Sequence, residues 1–347
     1  MKKYIIIVAA AIAAMACSKV ENIDTPAKKI TFEAASYVPQ TKANVSVISE
    51  FTSFKCKAFL HAAGYTSETQ TIFGDAETIT PDNTTNPSVW SPSHDYYWPK
   101  DPTSYINFIA WHDAKGTAPT TATETSLSWS NYEVLADDNL LYADEAWRYK
   151  SNDNDPDYHM DSVTEGVPML FHHALAQLCI KANVTKASEG NTSWDVTLED
   201  ISLAGVYNHG TLTLTNSDPS ANQTKAWTGS WATSGQTTAI AMDDVDTPLT
   251  TSLIEVLSMQ KVLPQAVTSN VVLNFKYNIS YKYSGTEYAH EKITAAVNLN
   301  SITGAIANWE MNKKITYNIT INPETTVIKI DPAMEDWVEV AGGSASL

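Results

Sequence analysis

Residue types capable of chemistry are present in this chain, but their spacing does not assemble an obvious catalytic centre. A nucleophilic triad needs Ser or Cys beside His and an acid, and there is no G-x-S-x-G elbow. Cys179 lies in an apolar run, which favours an inert thiol over a reactive thiolate. His172 and His173 are adjacent; in a strand they point to opposite faces and cannot simply chelate one metal, so each reads as a structural histidine. No H-E-x-x-H sequence occurs. Asp153, Asp155 and Asp157 have the spacing that opens a calcium loop. The sixth and twelfth positions are Tyr158 and Thr164, where Gly and Glu would be required. The loop therefore reads as solvated, with a looser calcium site as the alternative. Carboxylates are abundant, but abundance alone does not place the pair that glycoside hydrolysis needs. The expectation is a protein that is not an enzyme and holds no cofactor or metal.

A dense aromatic region runs from Trp90 to Trp111. Exposed Trp and Tyr faces can stack on sugar rings, which would make Trp90, Trp98 and Trp111 a glycan platform. Core packing is the stronger reading, because a sandwich of this size needs large interior residues and Trp98-Pro99 stands at the entrance to an apolar strand.

The elements that must position these residues read as strands throughout. Phe54, Cys56 and Ala58 alternate with Lys55 and Lys57. Tyr105 to Trp111 is nearly continuous in apolar character, which suits a central strand of a sandwich. Ala174, Ala176, Leu178 and Ile180 fall on one face after His172. Leu212 and Leu214 alternate with Thr. The alternation continues from Val271 to Tyr283, at Ile293 to Leu299 and at Ile315 to Ile321. No amphipathic helix of more than a few turns is evident. The fold expected is all-β, two sandwiches in series. The polar break from Lys186 to Ser193, with Gly190, sets the division: an N-terminal sandwich over 43–187 and a C-terminal one over 188–347. Cys56 and Cys179 are read as buried thiols or a single pair; two cysteines do not make a disulfide scaffold.

The N-terminus reads as an address. Lys2 and Lys3, the apolar run Tyr4 to Ala14 and Ala14-Met15-Ala16-Cys17 form an export signal over 1–16 that resembles a lipobox, with Cys17 as the lipid-attachment residue. The 347-residue chain carries a net charge of −17, and loss of two signal lysines makes it more acidic still. Such a surface argues against nucleic acid and against an anionic membrane. Arg148 is the only arginine. Between the tether and Lys42-Ala43, over 17–42, lies one short alternating strand in which Ile30, Phe32 and Ala34 share a face. It reads as provisional, completing the first core until it is cut away. At the other end Thr326 to Ile330 and Trp337 to Val340 read as two strands. Val327, Ile328, Ile330, Trp337, Val338 and Val340 are the candidate donor residues, since a terminal strand has one covalent connection.

In order along the chain, these segments resemble the fimbrillins, the type V pilins of Bacteroidales (FimA/Mfa-like major or minor subunits). The resemblance rests on the lipoprotein start, Lys29-Ile30-Thr31-Phe32, Gln40-Thr41-Lys42-Ala43, Tyr97-Trp98-Pro99 with Asn107-Phe108-Ile109-Ala110, Asn139 to Ala143, Phe171 to Ala176, Trp309-Glu310 with Lys314 to Tyr317, and Glu335-Asp336-Trp337. It implies two transthyretin-like β-sandwiches, export to the outer membrane as a lipoprotein, and surface proteolysis at Lys42-Ala43. A neighbour's C-terminal strand would then fill the opened groove, giving a fimbrium. The implied partners are copies of this chain, related pilins, a maturation protease, and host or bacterial glycans or proteins. The family's best-known cut follows Arg, whereas Lys42 stands here. The alternative implied by that difference is an uncut surface lipoprotein acting as tip adhesin, anchor or glycan-binding protein.

Overall fold

The computed structural model describes residues 29–36, 51–61, 70–82, 89–99, 104–135, 138–144, 146–149, 166–216, 226–235 and 237–337. Cys17, Lys42, Ala43, Val338, Val340 and the 153–157 acidic loop lie outside these residues. Among the described residues there is no helix. The first stretch contributes β1 (Phe32–Ser36), β2 (Phe54–His61), β3 (Gln70–Thr71), β4 (Glu77–Pro81), β5 (Trp90–Pro92), β6 (Tyr105–Asp113), β7 (Thr121–Thr123), β8 (Ser126–Glu133), β9 (Leu140–Ala143), β10 (Ala146–Tyr149) and β11 (Val167–His173). The remainder contributes β12 (Ala176–Val184), β13 (Ser188–Glu189), β14 (Thr192–Tyr207), β15 (His209–Thr215), β16 (Thr228–Thr233), β17 (Thr237–Ala241), β18 (Ile254–Val262), β19 (Gln265–Ala266), β20 (Val272–Tyr283), β21 (Thr286–Asn298), β22 (Asn308–Trp309), β23 (Lys313–Ile321) and β24 (Ile328–Asp336).

In the first half, β6, β9, β11, β1, β5, β4 and β2 pair in that order, and β2 pairs back with β6. The sheet is therefore a closed ring. Period-2 alternation divides β6 between two cores. Ile106, Phe108 and Ala110 point into the ring with Phe54, Cys56 and Ala58, while Ile109 and Trp111 point out. The outward face is covered by a second sheet, ordered β16-β15-β8-β7, whose Leu127, Trp129, Leu212 and Leu214 complete the outer core. Near-continuous apolar character in β6 has this cause: both its faces are buried.

The second half is a sandwich. A sheet ordered β18-β12-β23-β24 faces one ordered β13-β14-β20-β21. Leu273, Phe275, Tyr277 and Ile279 of β20 meet Ile315, Tyr317, Ile319 and Ile321 of β23 in one cluster. The strand pairing does not divide at 187/188. β12 precedes that point yet pairs with β18 and β23, and β15 and β16 follow it yet extend the sheet begun by β8. The polar break is the β13–β14 turn, with Gly190 at φ 60°. Polar and Gly-containing turns look alike in sequence whether they join two strands or two domains.

Candidate functional site

The site is the slot that β1 fills. β1 runs parallel to β11, with Phe32 opposite Val167 and Ser36 opposite Phe171. Its other edge meets β5 at one position, Phe32 opposite Trp90. Ile30, Phe32 and Ala34 are buried, as the alternation predicts; the strand begins two residues later than read and extends to Ser36. The Phe32 ring sits edge-on to Phe108, Phe54 and Phe73, with centroids at 5.3, 6.0 and 6.3 Å. Burial of side chains such as Ile30 and Phe32 stabilises by about 1.5–3 kcal/mol each.

The approach of β1 depends on a glycine. A Cβ added at Gly166 would lie 2.3 Å from the Phe32 carbonyl carbon. Beside it, Val167 N donates to Thr31 O at 2.8 Å. The other support is the loop after β5. Ile30 N donates to Tyr96 O at 2.9 Å, and Lys29 bridges Tyr97. That loop is fixed by the Glu77 carboxylate, which accepts from Ser93 N at 3.0 Å, from Ser93 Oγ and from the Tyr96 hydroxyl at 3.1 Å. Burial pushes the Glu77 carboxyl up, but the bonds from Ser93, His94 and Tyr96 outweigh it and hold the group below its ordinary value. The Lys29–Asp95 ion pair, 2.7 Å, is exposed on both sides and contributes little.

Of the C-terminal candidates Ile328 and Ile330 lie on β24, Val327 precedes it and Trp337 follows it, while Val338 and Val340 lie outside the described residues. β24 is continuous from Ile328 to Asp336 and runs antiparallel to β23, with Ile321 opposite Ile328 and Lys313 opposite Asp336. Its second half carries Asp331, Pro332 and Glu335, which hid it from the sequence reading; charge and proline are tolerated on a sheet edge. Ile328 is half-buried and Ile330 buried, while Val327 lies in the preceding turn, 60% exposed. Thr326 in that turn has φ 57°, a strained conformation for a β-branched residue, and its carbonyl accepts from the Tyr277 hydroxyl at 2.8 Å. Trp337 ends the described chain and is buried. Its ring stacks on His173 at 3.5 Å and 2°, with Lys261 Nζ 3.9 Å from the ring centroid. Trp337 N donates to Asn312 O at 2.9 Å. Burial first, then Lys261 and His172, lowers the His173 pKa to about 3. His172 faces the other way, 2.9 Å from Asp144 and stacked on Tyr142.

Trp90, Trp98 and Trp111 are 1–4% exposed and lie in the cores, so they cannot form a glycan platform. Cys56 and Cys179 are buried free thiols. Sequence reasoning missed one polar cluster. His61 Nε2 lies 2.6 Å from Glu124 Oε1, and Asn107 donates to the same carboxylate, all three being buried. No sequence spacing signals it, because β2, β6 and the β7–β8 turn bring it together. Among the described residues no group of three His, Cys, Asp or Glu is placed to hold a metal.

This geometry defines an all-β protein in which one short strand, fully paired along a single edge, completes a closed core. The fimbrillin-like family profile matches residues 41–337. The chain therefore belongs to the fimbrillin-like family. Among solved structures it is similar to a fimbrial protein from Bacteroides vulgatus, with 17% identity over 90% of this chain and 100% of that one and a TM-score of 0.49. It is also similar to the fimbrial anchor protein Mfa2 from Porphyromonas gingivalis, at 10% identity, 90% and 98% coverage and TM-score 0.37. The tip fimbrial protein Mfa3 from the same organism, with a C-terminal truncation, matches at 10% identity, 90% and 100% coverage and TM-score 0.38. A comparison with curated proteins finds no match.

Proposed function

We propose that this chain is a structural subunit of a cell-surface fimbrium that polymerises by strand exchange and serves adhesion. In this reading residues 1–16 direct export, Cys17 carries the lipid tether at the outer membrane, and cleavage between Lys42 and Ala43 releases the segment that includes β1. The chain performs no catalysis and needs no cofactor. Its two halves act as the paired transthyretin-like sandwiches of the family. A neighbouring copy or a related pilin supplies a C-terminal strand, drawn from Val327, Ile328, Ile330, Trp337, Val338 and Val340.

The observation that carries the proposal is the position of β1 in the closed ring. Its loss would leave the β11 edge unpaired and open an apolar slot lined by Phe54, Phe73 and Phe108. Unpaired strand edges and exposed apolar surface are both costly in water and both repaired by an incoming strand. An acceptor slot and a donor strand at different places on one chain give a heterologous, open assembly. Digestion with a lysine-directed protease, followed by electron microscopy, tests it. Fibres should appear after cleavage at Lys42 and not before. Native surface material that keeps Cys17 at its N-terminus would sink the stalk role and favour the uncut lipoprotein.

A further inference from the structure

The far end of the second sandwich carries an open cleft unrelated to the β1 slot. Its volume is about 430 Å³, within the range of small-molecule sites. One wall is the inner face of the sheet where β14, β20 and β21 overhang the opposite sheet: Trp194, Ile279, Tyr281 and Glu291. The other wall is the turn between β23 and β24, residues Pro323 to Thr326. Trp194 and Tyr281 are paired rings at 6.2 Å, and Lys186 lies 5.2 Å above the indole.

The β20–β21 hairpin continues past the cleft to an aromatic tip. A register shift after the Tyr281–Ala289 pair leaves Tyr288 as the extra residue, which turns its ring toward Tyr283 with centroids at 6.4 Å. Tyr283 and Tyr288 are 47% and 66% exposed. Elsewhere in the described chain the large aromatics are almost all buried, Tyr97 being the other exposed one. Exposed aromatic surface of this kind marks a contact site.

Charge decides what the cleft suits. Glu291 and Glu324 line it, and no lining residue is cationic. The neighbouring lysines are already committed: Lys186 to Glu189 and Glu324 at 2.5 and 2.8 Å, Lys292 to Glu199 at 2.5 Å, and Lys282 to Asp195. An acidic ligand would meet carboxylates, and the adjacent cation, Lys186, is already held by Glu189 and Glu324. A ligand with an apolar face and many hydroxyl donors would satisfy rings and carboxylates together. We propose that this cleft, with the Tyr283–Tyr288 tip, binds a neutral saccharide. Trp194 is itself buried and backs the half-buried Tyr281 from within the core, so a sugar's ring C–H face would lie on Tyr281, and its hydroxyls would donate to the exposed Glu291 and Glu324. The inference deepens the adhesive side of the surface-subunit reading.

The test is an array of neutral, sialylated and sulfated oligosaccharides probed with the labelled chain, its Tyr281→Ala and Glu291→Gln variants, and a Tyr97→Ala control. Neutral glycans should be bound, and both cleft variants should lose about tenfold in signal at unchanged melting temperature while the control does not. Should Tyr281→Ala fold poorly, the exposed Glu291→Gln change decides alone. Absence of neutral-glycan binding, preference for acidic glycans, or undiminished binding by Glu291→Gln would overturn the proposal. So would a loss of self-association in the cleft variants without glycan binding, which would make the cleft a contact for a second copy. Fibre formation is followed in parallel on the same variants. Glycan loss with normal fibres concerns the cleft alone, and absent fibres with intact glycan binding concerns strand exchange alone.

Discussion

β1 and β24 are strands of similar kind held in opposite ways. β1 sits between two neighbours in a closed ring, and its inward residues Ile30, Phe32 and Ala34 are buried. β24 sits on an open edge with one neighbour, β23, and most of its second half is exposed. A strand inside a ring is fixed by side chains packed in a core. A strand on an edge is fixed by its backbone ladder and by its ends, here the Thr326 turn and the Trp337 stack. The first arrangement suits a plug, whose removal opens a core. The second suits a strand that can leave while withdrawing few side chains, chiefly Ile330 and Ile328, from its core.

The largest effect expected concerns the plug. Phe32→Ala should destabilise the first half by about 4 kcal/mol, within the range for buried aromatic truncation, read as a shift in urea midpoint. If Phe32→Ala costs no more than an alanine change at exposed Met334 on β24, the contrast between the two strands fails. Gly166→Ala should cost about 2 kcal/mol by forcing Cβ against the Phe32 backbone. The same change in a chain already cut and lacking β1 should cost little, and equal effects in both forms would show that β1 does not lie against Gly166.

The end of β24 should respond to pH. His173 is buried with its pKa depressed from 6.5 to about 3. The unfolded state therefore binds the extra proton between these values, so stability is full above about 6.5 and falls as pH drops toward about 3. The slope is about 1.4 kcal/mol per pH unit. His173→Phe, which keeps a ring against Trp337, should flatten that part of the profile. An unchanged slope would separate the stack from the pH response. The smallest effect belongs to the turn: Thr326→Gly should relieve left-handed strain and raise stability by about 0.5 kcal/mol. A loss instead would mean that Thr326 is held without strain.

Much of the all-β character was legible in sequence, because alternation is a local signal. Val271 to Tyr283 and Ile315 to Ile321 gave their strands and inward faces directly, and Ile30, Phe32 and Ala34 gave theirs. The second half of β24 was not legible, since an edge strand exposed to water need not alternate. Nor was the division of the chain: β12 and the β15–β16 hairpin join sheets from the other side of the polar break, and pairing partners leave no mark in composition.

Residue order alone determined that Phe32 belongs in a core, that Trp90 and Trp111 are better suited to packing than to display, and that no catalytic spacing is written along the chain. Tertiary structure decided the rest. It set β1 between β11 and β5 and brought Gly166 beneath Phe32. It stacked Trp337 on His173, and it left Tyr283 and Tyr288 in water beside a cleft. The physical reason is that burial follows from side-chain type and period, which neighbours in sequence reveal, whereas partnership follows from chain path, which links residues far apart and is fixed only when the sheets close.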